Sequence, residues 1–336
     1  LKIGIIRLSA LGDIIVSAVF LQHLKFLFPS IEIHWFVDER FGDILENSLF
    51  IDKLHRLPFK DIFKSMNPYR IYKLSKTLSN CAKFDIVIDM QGLIKSALIG
   101  YMLKKDKFVG FDKDSIREKI ASLFYNQKIY IPYERNVLER NKALFCGAFG
   151  KEIDIDTALG MRRKVFGYSA KAWEKIDFVI PSNGEKILLF VLEASIQSKT
   201  YSADKYIELA NNLIGLNVKI FLLWHNNLKK AQKIFDAIKN IHNALILPRL
   251  NLDELKALMS KVDIVVGGDT GITHLGWAMQ RGSITLYGNT PIERFRLCGE
   301  KNISLNGSLN PKYDKNDFSI DKIPPKTIAD EIRKIL

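Results

Sequence analysis

Short apolar runs rich in β-branched residues recur along the chain, with longer amphipathic or turn-rich segments between them. In the first half these runs are KIGIIRL (2–8), IEIHWFV (31–37) and FDIVIDM (84–90). In the second half they are ILLFVL (187–192), VKIFLLW (218–224), ALILP (244–248), DIVVGG (263–268) and ITLYG (284–288). Near-continuous apolar runs of this length predict strands covered on both faces, and their alternation with helical patterns predicts βαβ units around parallel sheets. From about 151 to 185 the strand-like runs thin out, and VIPSNGEK (179–186) places Pro, Asn and Gly just ahead of the next strand. A hinge there divides the chain into two Rossmann-like α/β domains, over 1–165 and 175–320. The tail DKIPPKTIADEIRKIL (321–336) opens on two prolines and continues as a short amphipathic helix, expected to cross back onto the first domain.

Length agrees with that division, because 336 residues exceed the usual size of one hydrophobic core. A composition 47% apolar and 26% charged excludes extended disorder. The net charge of +13 changes the picture more. It predicts a positive field that favours phosphorylated small molecules, nucleic acid or an anionic membrane face, although a lysine-rich solvated surface explains part of the same excess. Three widely spaced cysteines, Cys81, Cys146 and Cys298, form neither a disulfide framework nor a zinc spacing, which fits a reducing cytoplasm. The opening LKIGII runs straight into strand pattern without the ordered regions of a signal peptide. No apolar run approaches the roughly 20 residues needed to cross a bilayer, so any membrane attachment is expected to be peripheral.

The first strand-to-helix turn, SALGD (9–13), has a single glycine and cannot supply the G-x-G-x-x-G spacing of a dinucleotide site. A P-loop is absent as well. What the turn offers is Asp13 at the carboxyl edge of a parallel sheet, where open α/β folds place ligands. Two readings stand side by side: Ser9 or Asp13 caps a helix beginning near Ile14, or Asp13 accepts a proton from an incoming hydroxyl. The second turn, within VVGGDTGITHLGWAMQRGSITLYGNTP (265–291), is more specific. Here an apolar strand leads into two glycines, then Asp269, Thr270 and Gly271, then a helix carrying His274. The N–H groups of Thr270, Gly271 and Ile272 are expected to point at an anion such as a diphosphate. Lys199, in LEASIQSKTYSADKY (192–206) after the first strand of the second half, sits among hydroxyls including Ser195 and suits the same anion. His23, His34, His55, His225 and His242 show no metal spacing. The strings DKD (112–114) and DID (154–156) read as solvated surface carboxylates rather than cation ligands.

RLSALGD, DMQGLIKSALIGY (89–101), REKIASLFYN (117–126) and GGDTGITHLGWAMQRGSITLYGNTP, in this order, resemble the lipopolysaccharide heptosyltransferases of glycosyltransferase family 9. The resemblance spans nearly the whole chain, and QGLIKSA with ASLFYN leans toward the type I enzymes. It implies a GT-B architecture, two Rossmann-like doubly wound domains facing a central cleft. It also implies inverting transfer of heptose from ADP-L-glycero-β-D-manno-heptose to the inner Kdo of Kdo2-lipid A, at the inner face of the cytoplasmic membrane, with no tightly bound cofactor, no required divalent cation and no nucleic-acid partner. By the same resemblance the catalytic base falls on Asp13, and donor contacts fall on Ser195, Lys199, Asp269, Thr270, Gly271 and His274. Lys60, Lys64, Lys95 and Arg117 are candidates for the acidic acceptor. Two departures stand out: the paired threonines before the lysine become Ser195 and Ile196, and the ribose-binding glutamate is missing from WHNNLKK (224–230), where Asn226 or Asn227 is expected to substitute. The rival readings are a type II enzyme acting on an already heptosylated core, a nucleotide-dependent oxidoreductase, and a basic nucleic-acid binder.

Overall fold

The computed structural model describes residues 1–61, 67–181 and 183–336. The chain divides into two compact units, Leu1–Gly167 and Tyr168–Leu336. In the first, six strands form one sheet: Lys2–Ile6 (β1), Glu32–Asp38 (β2), Lys53–Leu57 (β3), Phe84–Asp89 (β4), Lys105–Phe111 (β5) and Gln127–Ile129 (β6). Their order is β3-β2-β1-β4-β5-β6, and every pairing is parallel. The second unit repeats this plan with Lys186–Val191 (β7), Val218–Leu223 (β8), Asn243–Ile246 (β9), Ile264–Gly268 (β10), Gly282–Tyr287 (β11) and Asn302–Asn306 (β12). These strands are ordered β12-β11-β10-β7-β8-β9, again all parallel. Each sheet therefore has one point where the winding reverses, between β1 and β4 and between β7 and β10. Ligands of doubly wound sheets bind outside the strand ends at that point.

The eight apolar runs all lie in strands. Four strands escape a search for such runs. KLHRL and NISLN sit at sheet edges with polar residues on one face, KDKFVGF begins with three charged or flexible positions, and QKI has three residues. An edge strand is buried on less of its surface, so its sequence need not be continuously apolar.

The first helix begins at Leu11, not near Ile14, and places Asp13 inside its first turn instead of at its cap. The closing helix Pro325–Ile335 belongs to the second unit, where the sequence led us to expect a crossing to the first. Its Ile328, Ala329 and Ile332 enter the same core as Leu188, Phe190, Val266 and Ile284. The helix thereby buries its one apolar face at home, a gain of roughly 1.5–3 kcal/mol for each large aliphatic side chain.

Candidate active site

In the first unit the switch-point crevice is built from the turns after β1 and β4. Asp13 is the third residue of the helix Leu11–Ala18, where a negative charge is favoured by the helix dipole. Its Oδ2 lies 3.0 Å from Arg7 Nη2 and accepts the Ala10 N–H at 3.3 Å. The side chain is nonetheless 37% exposed. Arg7 is the more buried partner, and its Nη1 donates to the Met90 carbonyl at 2.5 Å. Gln91 fixes the turn below Asp13, with Oε1 accepting from Leu8 N at 2.8 Å and Ser9 N at 3.3 Å. Behind Gln91, the buried Asp89 accepts the N–H groups of Gln91 and Gly92 and the hydroxyls of Ser96 and Tyr125. Burial pushes the Asp89 carboxyl above its ordinary range despite those four bonds. Arg7, Asp89 and Gln91 were not picked out from the sequence as site residues. The signal was present, since Asp89 and Gln91 lie in DMQGLIKSA, but only the sheet shows that this turn supports the one carrying Asp13.

The basic candidates share this edge of the sheet. Lys60 is exposed beyond β3, and its N–H is bonded to Asp38 at the end of β2. Lys64 lies outside the described residues. Lys95 is exposed in the first turn of the helix Ile94–Met102. Glu118 accepts the Ile94 N–H at 2.7 Å, which ties the turn after β5, with exposed Arg117, to the start of that helix. Arg117 lies over the Tyr133 ring, 5.5 Å from its centroid, and its Nε donates to the Tyr133 hydroxyl. Lys60 therefore flanks the Asp13 turn on the β2 side, Lys95 and Arg117 on the β4 side. The DKD and DID carboxylates do local work instead, Asp112 and Asp154 each capping a short helix.

The second unit gathers three candidates into one cluster. Lys199 Nζ lies 2.5 Å from Asp269 Oδ2, and His274 Nε2 lies 3.1 Å from Asp269 Oδ1. Asp269 is almost wholly buried. Burial opposes its ionisation, but the His274 hydrogen bond and the Lys199 charge outweigh it and hold the carboxyl well below the usual carboxylate range. A carboxylate in front of His274 Nε2 assigns the proton to that nitrogen, and the buried Nδ1 bonds no other described group. The glycine pair explains how Lys199 gets there. A Cβ on Gly268 would stand 1.9 Å from the Lys199 carbonyl oxygen, so only glycine lets the two turns touch. At the helix Gly271–Ala278, Thr270 is the cap and its hydroxyl accepts the Ile272 N–H at 3.2 Å. That corrects the expectation for Ile272, whose N–H is occupied. Thr270 and Gly271 supply the first amides of the helix mouth, which have no partner inside the helix. Ser195 is exposed on the loop that carries Lys199.

The sequence model of glycosyltransferase family 9 (heptosyltransferase) matches residues 71–322. The chain belongs to that family. Lipopolysaccharide heptosyltransferase 1 of Campylobacter coli is 38% identical over 347 aligned residues, covering 100% of this chain and 99% of the relative. Among solved structures, E. coli heptosyltransferase WaaC with ADP-2-deoxy-2-fluoro heptose superposes with a TM-score of 0.78 at 21% identity, covering 100% of both chains. E. coli ADP-heptose lps heptosyltransferase II gives 0.71 at 17% identity, covering 100% of this chain and 98% of that one. The protein is a glycosyltransferase of GT-B architecture.

In this heptosyltransferase the turn after β8 is organised differently from the sequence-based expectation. Asn227 spends its side chain capping the helix Leu228–Ile238, and the Asn226 carbonyl accepts from Arg249 Nη2 at 3.3 Å. The carboxylate at this turn comes from Glu193, beyond the end of β7. It accepts the backbone N–H groups of His225, Asn226 and Asn227 at 2.8 to 3.1 Å. Burial opposes its ionisation, and those three amides lower its pKa overall. Glu193 also borders a pocket of about 690 Å³ shared with Gln197, Asn227, Lys230 and Asp321. The second unit thus offers a lysine, a histidine and helix-mouth amides suited to a phosphorylated ligand, and the first offers an accessible carboxylate suited to proton transfer.

Proposed function

We propose that this heptosyltransferase moves L-glycero-D-manno-heptose from ADP-L-glycero-β-D-manno-heptose to the inner Kdo of Kdo2-lipid A, with inversion at the anomeric carbon. The observation that carries the reading is the contrast between Asp13, accessible at its sheet edge, and Lys199 with His274, gathered at the mouth of the helix Gly271–Ala278. In this reading the first unit holds the acceptor and the second the donor. Asp13 accepts the proton of the acceptor hydroxyl as its oxygen attacks the anomeric carbon and the bond to ADP breaks. Arg7 holds that carboxylate in place through their ion pair. Lys199 and the amides of Thr270 and Gly271 compensate the charge that develops on the leaving diphosphate, so the step needs no divalent cation and no bound cofactor. His274 lies at the donor end of the same cluster, while Asp269 holds Lys199 and His274 in place. Lys60, Lys95 and Arg117 face the acidic acceptor.

The type I assignment draws on the relative named lipopolysaccharide heptosyltransferase 1. Peripheral docking at the inner face of the cytoplasmic membrane is part of the same proposal. Ile120 and Leu123, one turn apart on the 3₁₀ segment Lys119–Phe124, are both exposed beside exposed Lys119 and Arg117. Apolar residues flanked by cations suit an anionic lipid surface. No helix of the described residues is long and apolar enough to cross a membrane.

The deciding experiment is transfer of heptose from its ADP sugar, read by mass spectrometry, with Kdo2-lipid A and its heptosylated derivative as alternative acceptors. Addition of one heptose to Kdo2-lipid A supports the proposal. Activity confined to the heptosylated acceptor replaces it with a type II assignment.

A further inference from the structure

Leu192 and Tyr201 open and close the loop that carries Ser195 and Lys199, and both direct their carbonyls at one ammonium group. Lys230 Nζ donates to Leu192 O at 2.7 Å and to Tyr201 O at 2.5 Å, and lies 5.4 Å from the centroid of the Tyr206 ring. The loop between them has little regular structure of its own. A single 3₁₀ turn, Gln197–Lys199, and a bond from Ala194 N to Thr200 Oγ1 at 3.2 Å are its main internal ties. Lys230 reaches it from another element, the first turn of the helix Leu228–Ile238, where its own N–H is fixed by Asn227 Oδ1 at 3.1 Å.

A cation is poorly placed there on general grounds. The N-terminal turn of a helix disfavours positive charge, and a half-buried ammonium without a bonded carboxylate carries a desolvation cost. Glu193 and Asp321 act on Lys230 through their charge alone, and both of its bonds are to neutral carbonyls. An apolar side chain of similar length would fill the position without that cost, so the compensating gain must lie in what the ammonium holds.

We propose that Lys230 is a positioning residue for donor binding, fastening both ends of the 192–201 loop and so setting Lys199 against Asp269 and the donor diphosphate. The proposal rests on the donor role given to Lys199 above. It has a pH consequence. Burial lowers the Lys230 pKa to about 8, against the opposing charges of Asp321 and Glu193. Loss of the proton turns two charge-assisted bonds into neutral ones of roughly half the strength. Among the other groups around it, burial pushes Tyr201 and Tyr206 well above their ordinary range, and Lys229 and Lys233 border the same pocket from Lys230's own helix, Lys233 paired with Asp204 at 2.6 Å.

The test compares wild type, Lys230→Met and Lys230→Arg by ADP calorimetry, donor kinetics and amide hydrogen exchange at pH 7 and pH 9, with thermal melts as the folding control. Lys230→Met is expected to raise the ADP Kd and the donor KM about tenfold, the worth of one charge-assisted hydrogen bond, with kcat changed less than about threefold. Exchange should accelerate at 193–200 while the strands of the second unit stay protected, and Lys230→Arg should recover part of the affinity. Wild-type ADP affinity should fall more between pH 7 and pH 9 than that of Lys230→Met. A folded Lys230→Met protein with wild-type ADP affinity and loop exchange overturns the proposal. Should that variant fail to fold, wild-type affinity and loop protection factors, corrected for the intrinsic pH dependence of exchange, that stay flat across the same pH range overturn it equally. Failure of the donor reading looks different, since wild type would then bind no ADP or Lys199→Met would bind it unchanged.

Discussion

The two halves of this heptosyltransferase share one strand order and one kind of crevice, yet they treat the aspartate beside it in opposite ways. Asp13 is 37% exposed and answers to a single guanidinium. The Asp269 side chain is 6% exposed and sits between Lys199 and His274. A carboxylate near water with one cation can take up a proton and return it. One that is buried between two nitrogen groups is held as an anion and works by fixing its partners. The comparison teaches that position in the fold selects a functional edge, while burial and neighbouring charge decide which chemistry that edge performs.

The sharpest attack on this comparison is Asp13→Asn, which keeps the shape of the turn and removes the proposed base. Heptose transfer should fall by about a thousandfold, within the range of a lost general base, with ADP affinity unchanged within twofold. Equal turnover in both proteins would reduce Asp13 to a support of its helix. Next in size is Asp269→Ala, expected to cost about 3 kcal/mol in urea unfolding because it leaves half-buried Lys199 and buried His274 without their carboxylate. A loss below about 1 kcal/mol would remove the distinction between the two aspartates. Lys199→Met tests the ligand side of the same cluster, and should weaken ADP binding about tenfold to thirtyfold by calorimetry, the worth of one charge-assisted contact. An unchanged isotherm would separate the cluster from the donor.

A separate, pH-dependent effect lies away from both crevices. Burial, with the charges of His34 and Lys53, lowers the His55 pKa to about 4, and its Nε2 faces His34 Nδ1 at 3.0 Å. The unfolded chain takes up a proton near pH 6.5 that the folded chain refuses until about pH 4. The contribution of His55 is therefore complete above pH 6.5 and is lost as pH falls toward 4. The urea midpoint of wild type should drop across that interval by more than that of His55→Gln, and equal slopes would sink the assignment.

Much of this was legible before any coordinates. The strand at 264–268, its glycine pair and the helix start at 271 could be read directly, because a buried strand and a close-approach turn leave local marks. The cap at Thr270 was not, since the sequence pattern alone leaves the Ile272 N–H open to an anion while the folded turn gives it to the Thr270 hydroxyl. Nor was Arg7, although it opens RLSALGD, because its ion pair with Asp13 forms only once the turn between them has folded. Glu193 was missed on similar grounds. The turn at 225–227 was searched for its own acidic residue, and the one that serves it comes more than thirty residues earlier. The closing helix was assigned to the wrong unit because an amphipathic pattern states that a face will be buried, not against what.

What the sequence determined by itself is therefore periodic or contiguous: two parallel sheets, the two strand-to-helix turns and the motif order of the family. What the tertiary structure decided are the partnerships: Asp13 with Arg7, Gln91 beneath the β1 turn, Lys199 with Asp269, and Lys230 across the ends of the 192–201 loop. Periodicity encodes which face of an element leaves water, and it does so within a few residues. Most of these partnerships join residues from separate loops, whose geometry exists only once parallel strands have aligned the turns at one edge of a sheet.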